Sequence, residues 1–162
     1  MVTIGNRSYT GSIDERFNAE VTIGNFCSIG AGLVVYGCCE HPQTVSTYPF
    51  TDLKWCDESV YPKTYSRGKI TIGNDVWIGE DVVILDGVTI HDGAIIGARS
   101  VVAKDIPAYA VAAGNPCKVK RYRFTPRQRT KLIKSQWWNL PDEKIKELLP
   151  YMKDFDIFIT KV

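Results

Sequence analysis

From Ile72 an aliphatic residue returns every six positions: Ile72, Ile78, Ile84, Ile90, Ile96 and Val102. Two positions ahead of each runs a second row, Ile70, Val76, Val82, Val88, Ala94 and Ser100. An upstream block keeps the same beat through Phe17, Ile23, Ile29 and Val35. A period of six does not fit a 3.6-residue helix, but it is three strand periods of two. Each unit can therefore supply a short strand with inward aliphatics. A turn follows, at which Gly, Asn or Asp tolerates positive φ. Such units bury their flat faces only by stacking, which predicts a parallel β-helix in which each coil covers the next. Burial of one ladder side chain contributes about 1.5–3 kcal/mol.

Composition sets the outer bounds. The 162 residues suffice for one domain with a sizeable core. With 44% hydrophobic and 23% charged residues, the chain reads as an ordinary soluble protein. No apolar run reaches the length of a membrane span. The opening MVTIGNRSYT lacks a basic region followed by an apolar one, so a cytoplasmic location is expected. Cys27, Cys38, Cys39, Cys56 and Cys117 are odd in number and fit no zinc spacing, which predicts reduced thiols. The net charge of +2 is uneven: residues 106–141 hold eight Lys or Arg and no Asp or Glu. A basic block beside an acidic body suggests a site for an anion.

The repeat stops for residues 36–69, the segment that contains EHPQTVSTYPF. An extruded loop costs little in closure entropy. Long irregular loops in compact domains are usually functional or disordered, and the aromatic content here argues against disorder. The segment carries His41, Tyr48, Phe50, Trp55, Tyr61 and Tyr65. The other histidine, His91, falls at an outward turn of a repeat and reads as solvated. Trp77 points outward if Ile78 points in, so it either lines a cleft or interface or packs beneath the loop.

After the repeats, Thr125-Pro126 reads as an N-cap and a first helical position, with a helix expected to about Trp138. A second helix is expected after Pro141, with Ile145, Leu148, Leu149 and Met152 on one face. These helices are expected to cap the open end of the solenoid. The tail DFDIFITKV reads as extended. The resulting division is a β-helix over residues 1–117 and a helical cap with tail over residues 118–162.

The motifs IGNFCSIG, IGNDVWIG, GAIIGARSVVAKDIPAYAVAAGNP and SQWWNL occur in this order. With them the chain resembles the hexapeptide-repeat acyltransferases, most closely the type B chloramphenicol and streptogramin acetyltransferases and related sugar O-acetyltransferases. The resemblance runs from about Val21 to about Tyr151. It implies an all-β, left-handed parallel β-helix with eighteen residues per coil, an extruded active-site loop and a homotrimer with active sites between subunits. It implies acetyl-CoA as the donor and His41 as the catalytic base. A neutral imidazole can take the acceptor's hydroxyl proton as attack on the thioester begins. Residue by residue, it points to Gly79, Ala98, Ala103 and Lys104 along the donor groove and to Lys118 and Arg121 near phosphate. Tyr48, Phe50 and Trp77 are expected to line the acceptor cleft. GNPCKVKR departs from the more usual GNPA at Cys117. The expected acceptor is a sugar hydroxyl, with an antibiotic hydroxyl as the alternative and N-acetylation also open.

Two other classes compete with this reading. A metal hydratase on the same scaffold needs three histidines on one zinc, and the chain has two, so no metal is expected. A solenoid serving only as a binding module is separated from an enzyme by the effect of replacing His41. Nucleic-acid binding is disfavoured because Trp137 and Trp138 follow the basic block instead of interleaving with it.

Overall fold

The computed structural model describes residues 1–37, 44–57, 59–63 and 65–162. Each six-residue step forms a short strand, and successive steps turn a corner, so three parallel sheets enclose a prism of about five coils. The first sheet holds β1 (Val2–Ile4), β4 (Val21–Ile23), β7 (Ile70–Ile72) and β10 (Thr89–Ile90) in that order. The second holds β2 (Tyr9–Thr10), β5 (Ser28–Ile29), β8 (Trp77–Ile78), β11 (Ile95–Ile96), β13 (Ala110–Ala113) and β14 (Lys118–Tyr122). The third holds β3 (Ile13–Arg16), β6 (Leu33–Tyr36), β9 (Val83–Ile84) and β12 (Val101–Val102). β14 turns back antiparallel on β13; every other named strand pair is parallel.

The register reproduces the sequence rows as ladders. Ile23 pairs with Ile72, and Ile72 with Ile90, eighteen residues on. Ile29 pairs with Ile78 and Ile78 with Ile96. Val35 pairs with Ile84 and Ile84 with Val102. All of these side chains are buried, as are Ile70, Val76, Val82, Val88 and Ala94 of the second row. Ser100 is a buried polar member of that row. Its hydroxyl donates to the Gly97 carbonyl (2.6 Å) and accepts from Gly114 N–H (3.0 Å), so it offsets its own desolvation.

Phe17 departs from the expected inner row: it is 66% exposed and sits at a positive-φ corner. The cause is length. Glu15 pairs with Val35 twenty residues on, so this coil is longer than the regular ones, and Ala19 takes the buried place instead.

After β14 the chain forms α1 (Pro126–Ser135), α2 (Asp142–Leu148) and α3 (Phe155–Lys161), which follow one corner of the prism instead of sitting over its open end. Thr125 caps α1 in a reciprocal pair with Gln128, as the Thr-Pro signal predicts. α1 ends earlier than expected, because Gln136 turns left-handed and Trp137–Asn139 form a separate 3-10 turn. The tail is helical, not extended. Asp154 caps it by accepting from Ile157 N–H (3.1 Å). Phe155, Phe158 and Ile159, at helical spacing, join a cluster with Tyr109, Leu132 and Leu148. Of the expected α2 face, Ile145 and Leu148 are buried, whereas Leu149 and Met152 are exposed.

The contacts of this C-terminal segment run along one corner of the prism. Arg7 of the first coil pairs with Asp142. Asn25 Nδ2 donates to the Trp138 carbonyl (3.3 Å), and Phe26 packs on Trp137. Arg123 reaches Asp75 and the Gly93 carbonyl. Among the described residues, no helix is long and apolar enough to cross a membrane.

Candidate active site

Two surfaces carry most of the described residues singled out by sequence. The first is the outer face of the second sheet. Alternation puts Ile78 inside and Trp77 outside, where it is 46% exposed. The register then aligns one outward row: Tyr9 pairs with Ser28, Ser28 with Trp77, Trp77 with Ile95, Ile95 with Val111 and Val111 with Arg121. Adjacent strands lie about 4.8 Å apart, so Trp77 and Arg121 stand about 14 Å apart along the axis. Ser28 Oγ donates to the Tyr9 hydroxyl at 2.5 Å within this row. A shallow groove of about 390 Å3 runs beside it and includes Tyr9, Trp77, Gly79 and Ala98. Gly79 is required there by close approach: a Cβ would fall 2.6 Å from Ala98 N and 2.8 Å from Ala98 Cα.

Lys118 and Arg121 are exposed on β14, the edge strand of this sheet. Ala103 and Lys104 lie elsewhere, past β12 at the corner that leads from the third sheet to the first. The structure thus gathers Trp77, Gly79, Ala98 and Arg121 on or beside one sheet and separates Ala103 and Lys104 from them by the width of the third sheet. Cys117 is half-buried against the core, and burial pushes its thiol up from the ordinary range. His91 is exposed.

The second surface is the extruded loop. His41 lies outside the described residues. Among the described loop residues the Phe50 ring meets Tyr48 (5.1 Å), Tyr61 (5.0 Å) and Trp55 (6.1 Å) edge-on or tilted. The Tyr61 hydroxyl donates to the Ser46 carbonyl (2.6 Å), tying the two limbs together. Tyr48 is half-exposed at the rim of this cluster, and Phe50 is its half-buried centre.

The loop returns to the prism at a residue that sequence reading missed. Asp86 is fully buried; its Oδ2 accepts from Arg67 N–H at 2.6 Å, and its Oδ1 lies 3.6 Å from Arg67 Nη2. Beside it, Gly87 N–H donates to the Gly68 carbonyl (2.9 Å), and a Cβ on Gly87 would lie 2.6 Å from Arg67 Cβ. The sequence carries no distinguishing signal for Asp86, because the Asp-Gly of Leu85-Asp86-Gly87 recurs in His91-Asp92-Gly93. Among the described residues there is no group of three or more His, Cys, Asp or Glu placed to hold a metal ion.

A prism of stacked six-residue steps, interrupted once by an aromatic loop, defines a hexapeptide-repeat protein. Residues 69–104 match the family model described as bacterial transferase hexapeptide (six repeats). The chain is 38% identical over 140 residues to a chloramphenicol acetyltransferase of Escherichia coli, covering 82% of this chain and 66% of that protein. It is 42% identical over 146 residues to a virginiamycin A acetyltransferase of Staphylococcus aureus, covering 88% of this chain and 67% of that one. A solved galactoside acetyltransferase in complex with coenzyme A superposes with a TM-score of 0.57 at 37% identity, over 77% of this chain and 60% of that one. The chain belongs to the bacterial hexapeptide-repeat transferase family. It spans 66% of the length of the E. coli chloramphenicol acetyltransferase that it matches.

Proposed function

We propose that this protein is an O-acetyltransferase that moves acetyl from acetyl-CoA to a hydroxyl of a small acceptor. The observation that carries the reading is the outward row from Trp77 to Arg121 on the second sheet, in a chain whose relatives are acetyltransferases. A flat row with a cation at one end suits an extended thioester-bearing arm whose phosphates need positive charge. Arg121 and Lys118 take the phosphate end. Gly79 and Ala98 admit the arm close to backbone. Ala103 and Lys104, at another corner, join this site only if a second copy of the chain brings that corner opposite the row. That requirement, with Tyr9 65% and Trp77 46% exposed, favours a homotrimer with the site between subunits.

In this mechanism acetyl-CoA and the acceptor are bound together. His41 accepts the proton of the acceptor hydroxyl as the oxygen attacks the thioester carbonyl, and the imidazolium returns that proton to the departing thiolate. The tetrahedral oxyanion needs donors, which backbone N–H groups of a corner can supply. Tyr48 and Phe50 present ring faces and edges to the acceptor. A sugar hydroxyl is the first reading, supported by the loop segment HPQTVSTYPF and the likeness to the galactoside enzyme. An antibiotic hydroxyl is the second, favoured by the chloramphenicol and virginiamycin relatives. The test is thiol release from acetyl-CoA against nucleotide sugars, free sugars, chloramphenicol and virginiamycin, with mass analysis of the product. Saturable O-acetylation of one class decides between the two. No acceptor-dependent release from any of them argues against the proposal.

A further inference from the structure

A second cavity, of about 370 Å3, lies between the C-terminal helices and the corner they follow. Its lining includes Asp75, Tyr109, Arg123, Trp137, Lys153 and Phe155, none of which belongs to the groove beside Trp77. Tyr109 is 1% exposed, and its hydroxyl has no hydrogen-bond partner among the described residues. A buried hydroxyl left in that state costs about 1–3 kcal/mol, and Tyr109 is one of the residues that line the cavity. Burial pushes this phenol well above its ordinary range, so it keeps its proton.

Arg123 stands beside it. Its guanidinium lies over the rings of Tyr109 (5.5 Å) and Phe124 (5.4 Å), which fix its plane. Nη1 donates to Asp75 Oδ2 (3.0 Å) and to the Gly93 carbonyl (2.8 Å). Nε and Nη2 make no hydrogen bond among the described residues, which leaves an edge of the fork for an acceptor. Two cations against one carboxylate give the lining a net positive charge, and aromatic rings form its walls. The size falls in the range of small-molecule sites.

We propose that this cavity binds a small aromatic monocarboxylate. The carboxylate accepts from the Tyr109 hydroxyl and from the open edge of Arg123, and the ring lies between Trp137 and Phe155. Lys153, exposed on the rim, draws the anion in. The proposal does not depend on acetyl transfer or on its acceptor.

The test is calorimetric titration of the whole chain with benzoate, and with benzyl alcohol as the neutral comparison. Benzoate is expected to bind saturably at one site per chain and more tightly than benzyl alcohol. Tyr109→Phe removes only a hydroxyl without a partner, so the fold should persist, as thermal melting would verify. Its benzoate affinity should fall about 10-fold, which is the loss of one charge-assisted hydrogen bond. Lys153→Gln should weaken benzoate and leave benzyl alcohol unchanged, and saturating acetyl-CoA should not displace benzoate. Absence of saturable benzoate binding to the folded protein overturns the proposal. So does benzoate affinity unchanged in Tyr109→Phe, or displacement by acetyl-CoA.

Discussion

Coil stacking leaves room at some corners for hydrogen only, and the identity of the crowding atom decides which pairs of substitutions compensate. At Gly79 an added methyl would meet Ala98 N at 2.6 Å and Ala98 Cα at 2.8 Å, both backbone atoms. At Gly97 the nearest atom is Ala113 Cβ at 2.9 Å, and the next lies at 3.8 Å. Gly79→Ala must push two coils apart, an overpacking cost of about 1–3 kcal/mol. For a chain of this size that corresponds to a melting temperature lower by about 2–4 °C for each kcal/mol. Ala98→Gly should not rescue it, because the clash is with main chain. Gly97→Ala meets a removable methyl, so Ala113→Gly should rescue it in part. Urea unfolding of both double-mutant cycles at fixed protein concentration reads the coupling directly. The expected coupling is about 1 kcal/mol for Gly97→Ala with Ala113→Gly, and within about 0.5 kcal/mol of zero for Gly79→Ala with Ala98→Gly. Equal coupling in the two cycles would refute the idea that rigid backbone spacing sets these glycines.

The same geometry makes three further outcomes checkable. Ile84→Asp places a carboxylate among fully buried aliphatics, costs several kcal/mol and should yield insoluble or unfolded chain, read by circular dichroism; a folded variant contradicts the dry ladder. Asp86→Asn keeps an acceptor for Arg67 N–H but removes its charge, weakening a bond of the kind worth about 1.5–3 kcal/mol. Amide exchange at Arg67 and Gly87 should quicken while the prism core stays protected, and unchanged exchange would remove Asp86 as the loop's anchor. Burial raises the Asp75 carboxyl above its ordinary range, although Arg123 opposes the shift. The folded state then binds the proton more tightly than the unfolded one, so this residue's contribution to stability falls as pH rises from the ordinary carboxylate range through the raised value. Asp75→Asn lacks that titration. The stability of wild type relative to Asp75→Asn, followed by urea unfolding across the window, should therefore decline with rising pH; a rise would reverse the assigned sign.

The solenoid was legible because its signal is periodic and its consequence is burial. Every member of the Ile72-to-Val102 row, and of the row two ahead of it, is inside. Phe17 shared the spacing but not the register, because two extra residues in a coil do not disturb a six-residue count read from one side only. The tail misled for a different reason. Apolar residues at 155, 157, 158 and 159 satisfy a strand pattern and a helix pattern together, and only the neighbouring Tyr109, Leu132 and Leu148 select the helix. Trp77 and Arg121 were singled out separately as cleft and phosphate residues. Their common row, with Ile95 and Val111 between them, appears only once the strand register is known. Asp86 was invisible because its partner lies nineteen residues away across the return of a loop.

The proposed acetyl transfer turns on His41 acting as the base that takes the acceptor's proton. The direct measurement is turnover of His41→Ala with a saturating acceptor, set beside its affinity for acetyl-CoA and its thermal melt. Acetyl transfer should fall about 10²–10⁴-fold while affinity and melting temperature stay at wild-type values. Transfer within about twofold of wild type, in a variant that is folded and binds the donor normally, would contradict the role assigned to His41 and with it the mechanism.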